Sequence, residues 1–219
     1  MGTGIFENKD CMEGMSIYPD KYFDLAIVDP PYGAGGADWG SESSRFGGWF
    51  DKYKKEKNGK KVIDWDVAPG KEYFEELFRV SKNQIIWGGN YFNEFLPSNR
   101  NFIIWRKLTI SENFSMAMAE YAWTSIQGNA KVFECTPQGS AKEERFHPTQ
   151  KPVKLYAWLL RMYAKPGDKI LDTHVGSASS LIACHRAGMD YAGFEINEEY
   201  YRLARARIEE EIRQVQFEL

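Results

Sequence analysis

The chain has 219 residues, 43% hydrophobic, 27% charged and 15% aromatic, with a net charge of −3. That length holds about one to one and a half domains and is enough to bury a full core, while the slight negative charge argues against a protein coated in nucleic acid. No apolar run reaches the roughly 18 residues of a membrane span, and no basic-then-apolar leader opens the chain, so the expectation is a cytoplasmic protein without a membrane partner. Cys11, Cys135 and Cys184, with His147, His174 and His185, form neither a disulfide framework nor a metal-ligand spacing, so no metal is expected. Charge is uneven: six lysines face two acids between Asp51 and Lys61, and seven acids face four arginines from Glu195 to Leu219.

Short apolar runs alternate with amphipathic stretches, which predicts an α/β sheet covered by helices in a single domain over 1–219. In chain order, strands are predicted at Gly4–Glu7 and Leu25–Val28. A helix follows at Lys71–Val80, with Phe74, Leu77 and Phe78 on one face. Strands come next at Gln84–Trp87, Phe102–Trp105 and Tyr121–Thr124. The helix Pro152–Ala164 places Val153, Tyr156, Ala157, Leu160 and Tyr163 at helical spacing and is stopped by Lys165-Pro166-Gly167. Strands Lys169–Leu171 and Tyr191–Phe194 precede a last helix capped by Asn197, whose stripe of Tyr201, Ala204, Ile208, Ile212, Val215 and Leu219 reads as core packing. The stretch from Gly33 to Gly70 fits no element. It mixes Gly, Lys and Ser with Trp39, Phe46, Trp49, Phe50 and Trp65, a composition that suits a mobile functional loop better than a linker.

Three segments carry chemistry. Asp29-Pro30-Pro31-Tyr32 directly follows an apolar strand, where open α/β sheets bind ligands. The prolines stiffen the turn and leave carbonyls free, and a carboxylate beside a flat ring suits a planar base with an exocyclic amino group. Lys169-Ile-Leu-Asp172 runs into a small-residue turn, His174-Val-Gly176-Ser177, and a second strand ends in Glu195 about twenty residues on. This is the layout of a nucleoside-binding βαβ unit whose acid holds the ribose; the incomplete glycine fingerprint argues against a pyrophosphate. His147-Pro-Thr-Gln-Lys151-Pro152 opens a helix, and Lys151 at that N-terminus suits an anionic guest such as a carboxylate.

Together these segments resemble the N6-adenine and N4-cytosine DNA methyltransferases of the permuted group, in which the catalytic motif precedes the cofactor motif. The resemblance runs from Asp10 to about Ala206. It implies a Rossmann-like, S-adenosylmethionine-dependent methyltransferase fold: α/β, circularly permuted, with a mostly parallel seven-stranded sheet and one antiparallel strand. It implies S-adenosyl-L-methionine as cofactor, with Asp10 and Cys11 at its adenine, Glu195 at its ribose, and Asp172, Gly176 and Ser177 at its methionine end. His174 stands where the family usually has Phe, and its ring would pack beside the cofactor. Asp29, Pro30, Pro31 and Tyr32 form the catalytic motif, and Trp87-Gly88-Gly89-Asn90-Tyr91 would line the pocket of a base flipped from the duplex.

The implied activity is site-specific methylation of DNA at adenine N6. Cytosine N4 is the alternative, set second because such enzymes more often carry Ser at the first motif position. A non-catalytic methyltransferase-like subunit that binds nucleic acid is a third reading. A cytosine-C5 enzyme is discarded, because neither Cys11 nor Cys135 has the Pro-Cys setting of its nucleophile. The usual large recognition segment is missing, which leaves residues 33–70 and 127–145 to read DNA. A monomer or homodimer is expected, with a cognate restriction endonuclease as partner.

Overall fold

The computed structural model describes residues 2–33, 55–57, 60–62, 66–113, 117–137 and 145–217. The main sheet takes strands β1 (Gly4–Asn8), β2 (Phe23–Val28), β5 (Ser81–Trp87), β6 (Phe102–Lys107), β7 (Ala119–Thr124), β8 (Lys131–Cys135), β9 (Lys169–Asp172) and β10 (Asp190–Glu195). Their order is β1-β10-β9-β2-β5-β7-β6-β8, and only β7 runs against the rest. The helices are α1 (Cys11–Ser16), α2 (Lys71–Val80), α3 (Val153–Tyr163), α4 (Ser179–Arg186) and α5 (Glu198–Phe217).

The alternation of side chains along each strand divides the core into two layers. On β2, Leu25 and Ile27 join Ile85, Trp87, Leu155 and Leu159 on one face. Ala26 and Val28 join Ile86, Phe74, Leu77 and Phe92 on the other. Each fully buried aliphatic or Phe side chain contributes about 1.5–3 kcal/mol, and β2, buried on both faces, therefore anchors the segment that follows it.

Three differences from the expected architecture have local causes. The sheet has eight strands, not seven, because Lys131–Cys135 adds an edge strand on β6. It alternates half-buried with exposed residues, so it lacks the continuous apolar run that marked the central strands. Helix α1 is short and has Gly14 inside it, a weak pattern; Asp10 starts it by accepting from the amides of Met12 and Glu13. On α3 the buried face is Val153, Leu155, Tyr156, Leu159 and Leu160, whereas Ala157 is exposed, because this helix packs on both the sheet and α4.

Residues 33–70 are not wholly without regular structure. Within them β3 (Lys55–Lys57) and β4 (Lys60–Val62) pair antiparallel. Trp39, Phe46, Trp49, Phe50 and Trp65, and most of the expected mobile loop, lie outside the described residues. Asn197 caps α5 as expected, accepting from the amides of Glu199 and Tyr200. Val215 and Leu219 lie outside the described side chains.

Candidate active site at the carboxyl ends of the strands

Because β1, β10, β9 and β2 are parallel neighbours, their carboxyl ends lie along one edge of the sheet. The register pairs Asn8 with Glu195, Gly193 with Asp172, and Leu171 with Ala26. Asp10, Glu195, Asp172 and Asp29 therefore leave successive strands in a row, with strand steps of about 4.8 Å. The neighbouring strands bring more groups to the same edge. Strand β5 ends at Trp87 and Gly88, β6 ends at Lys107, and antiparallel β7 begins there with Ala119 and Glu120.

Asp29 is held on both oxygens. The Tyr32 hydroxyl donates to Oδ1 at 2.7 Å, and the Lys151 ammonium bonds Oδ2. Burial, with Asp29 beside it, pushes the Tyr32 phenol well above its ordinary value, so it remains a donor. The Tyr32 ring stacks on Tyr91 at 4.8 Å and 13°. Gly88 lets that ring in: at φ +67° it adopts a left-handed conformation, and a Cβ there would lie 2.1 Å from the Tyr32 ring.

The turn after β9 is braced by two carboxylates. Asp172 accepts from the His174 amide through Oδ1 and from the Ser180 hydroxyl through Oδ2. Burial pushes its carboxyl up to about 7. Glu195 accepts from the Gly176 amide at 2.9 Å and the Asn197 amide at 2.8 Å, and burial raises it too. Each carboxylate oxygen has two lone pairs, so these bonds leave acceptor capacity toward a ligand. Gly176 at φ +54° passes beneath the His147 ring, which a Cβ would meet at 3.4 Å. Ala178 also takes a positive φ, 63°, a left-handed conformation that an alanine adopts at some cost. His174 lies edge-on to Tyr73 at 5.3 Å, with Thr173 bridging their polar atoms. Burial holds His147 at about 3 and His174 at about 4, so both rings are neutral at pH 7.

The structure thus brings Asp10, Asp172, His174, Gly176, Ser177, Glu195, Asp29 and Tyr32 to one edge, with Pro30 and Pro31 in the turn. Cys11 sits in the first turn of α1, its thiol pushed up to about 12 by burial and by Asp10. Lys151 lies just before α3, as expected, and its ammonium pairs within the chain with Asp29 and with Glu120, 3.3 Å away. Sequence reasoning missed Glu120 and Lys107, which pair at 2.6 Å. It also read Tyr156 as packing alone. Burial, with Asp29, Asp172 and Glu120 near, lifts the Tyr156 phenol well above its ordinary value. The only local signal was polarity at strand ends, shared by many surface residues.

A family model described as DNA methylase, for the N6/N4 methyltransferases, matches residues 84–206, more than half of the chain. The Escherichia coli (strain K12) protein YubD, described as a methylase, is 25% identical over 93% of this chain and 89% of its own. Among solved structures, the M1.HpyAVI–SAM complex superposes with a TM-score of 0.63 at 18% identity, covering 94% of this chain and 99% of that one. The cytosine-N4-specific PvuII DNA methyltransferase gives 0.62 at 14% identity, covering 93% and 86%. At such low identities these structures share the fold, and the family match goes further: the chain belongs to the N6/N4 DNA methylases.

Proposed function

We propose that this DNA methylase uses S-adenosyl-L-methionine to methylate the N6 amino group of an adenine turned out of the duplex. The observation that carries the reading is Asp29, fixed through both oxygens at the end of β2, beside a row of acids on β1, β10 and β9. The donor set suits a nucleoside joined to an amino acid: carboxylates for hydroxyl and amino groups, the positive-φ turn at Gly176, and, in that turn, Ala178 and Ser180 where a phosphate cradle has glycines. Asp10 and Cys11 would meet the adenine end, Glu195 the ribose, and Asp172, His174, Gly176 and Ser177 the methionine end.

When bound, the cofactor supplies an electrophilic methyl group on a sulfonium. The protein's part is positional and electrostatic. Asp29 accepts an N–H of the target amine, which is conjugated with its ring and weakly nucleophilic. That bond and the Pro30 carbonyl turn the nitrogen lone pair toward the methyl. The positive charge that the amine would gain on taking the methyl would develop beside Asp29, and the proton the nitrogen then sheds would pass to solvent water. The flipped base stacks on Tyr32 in place of the exposed Tyr91 ring, a contact of about 1–3 kcal/mol. A single permuted domain, with residues 33–70 and 127–145 facing DNA, completes the reading.

Purified protein, labelled cofactor and DNA, followed by nucleoside analysis, tests it. N6-methyldeoxyadenosine is expected. N4-methyldeoxycytidine would overturn the adenine assignment, and no transfer at all would favour a non-catalytic subunit. Asp29→Ala should abolish transfer while calorimetry finds cofactor affinity within a few-fold of wild type; loss of cofactor binding would remove Asp29 from the target side.

A further inference from the structure

Four charged side chains from four separate segments form a line at the site. Lys107 closes β6, and Glu120, near the start of antiparallel β7, lies opposite Trp105 in the register. Lys107 bonds Glu120 Oε1 at 2.6 Å, Glu120 Oε2 lies 3.3 Å from the Lys151 ammonium, and Lys151 bonds Asp29 Oδ2. The two lysine side chains are almost fully buried, with 7% and 3% exposed. Buried charge is costly unless paired, so this line is maintained against a desolvation penalty.

If Lys151 served only to neutralise Asp29, one carboxylate would suffice. A lone ammonium on Oδ2 would instead weaken the carboxylate that must face a nitrogen gaining positive charge. A second anion on the same ammonium restores that acceptor strength and fixes where the ammonium stands. Resting on the methyl-transfer reading above, we propose that Glu120 is a positioning residue, holding Lys151 between two carboxylates so that Asp29 is anchored through Oδ2 and, beside the bond from Tyr32, offers the remaining lone pair of Oδ1 to the target amine. Lys107 is the outer clamp that aims Glu120.

The charged groups on Lys151 are Asp29 beyond β2 and Glu120 on β7, and the face of Trp87 on β5 lies 5.4 Å away. On its own segment His147 is neutral, with Arg145 acting on it. Burial alone would lower the Lys151 ammonium, and the two carboxylates lift it above its ordinary value. Burial alone would raise Glu120, and the two lysines hold it below the ordinary carboxylate range. Removing Glu120 therefore lets Lys151 lose its proton at lower pH.

The test compares wild type with Glu120→Gln, and with Lys107→Met/Glu120→Gln, which removes the outer pair together and leaves no unpaired buried lysine if the single variant folds poorly. Both variants should lower kcat by about tenfold to a hundredfold with the cofactor KM within about twofold. The alkaline fall of kcat should begin at lower pH in each, which a residue that merely supports the fold would not cause. Lysine labelled at ¹³Cε should show Lys151 titrating at lower pH in both variants. Unchanged kcat and alkaline limb, or a Lys151 titration that does not move down, overturns the inference. Wild-type protein that transfers no methyl to DNA overturns the functional reading instead, and the Lys151 titration still judges the charge line by itself.

Discussion

Asp172 and Glu195 brace turns at the site and, in the proposed function, would also bind the cofactor. Both oxygens of Asp172 brace the turn after β9, yet burial raises its carboxyl to about 7 from an ordinary 3.8. A carboxyl raised in the folded state contributes stability that is full below the unfolded value and is lost as pH rises through the folded one. Asp172→Asn keeps an acceptor for the His174 amide and removes the ionisation. Thermal melts should therefore show wild type losing stability relative to this variant as pH rises from about 4 to 7, and parallel curves would contradict the assigned burial. For Glu195, loss of a charge-assisted bond to a ribose costs about 1.5–3 kcal/mol. Glu195→Ala should weaken cofactor binding about tenfold to a hundredfold in calorimetry; unchanged affinity would put the nucleoside elsewhere.

At the level of elements, the turn after β5 would, in the proposed function, shape the target side of the site. Trp87 is wholly buried, and the chain then reverses at Gly88 with φ +67°, its amide bonded to the Tyr121 carbonyl at 2.9 Å. That reversal lays the backbone against the Tyr32 ring. An alanine there meets both the left-handed penalty, about 1–2 kcal/mol, and a ring within 2.1 Å of its Cβ. Gly88→Ala should lower the urea midpoint and displace Tyr32, reducing kcat more than cofactor affinity. A variant with normal turnover would show that the Tyr32 position is unimportant to the reaction. Tyr91, carried by the following 3₁₀ turn at Gly89–Tyr91, stacks on the same ring, so in the proposed function one short segment would flank the base on both sides.

Taken whole, the molecule carries a net charge of −3 that conceals a local excess of lysine around the β3–β4 hairpin. In the proposed function these residues meet the DNA backbone. Each phosphate contact releases counterions, so losing one should reduce the salt slope of duplex binding by roughly 0.9. Replacing Lys54, Lys55 and Lys57 with Ala should weaken DNA binding and flatten its salt dependence, with cofactor affinity unchanged. If affinity and slope both stay put, residues 127–145 become the better candidates; within them β8 is already committed to the sheet edge.

The central strands, the long helices and the Asp29 motif were legible because each rests on local pattern: continuous apolar runs, helical spacing, capping residues, and an acid where a strand ends. The family resemblance rested on the same short segments. Strand β8 and helix α1 escaped because a half-exposed edge and a six-residue helix leave almost no periodic signal. The company of each charge was decided only by the folded sheet. Lys151 meets Asp29 across 122 residues of chain; Glu120 reaches them because β7 runs opposite to its neighbours, and Lys107 because β6 runs with the central strands and ends at the same edge. A strand's own residues encode which of them are buried; which charges stand together at its end depends on strand order and direction, and those are set by packing between distant segments.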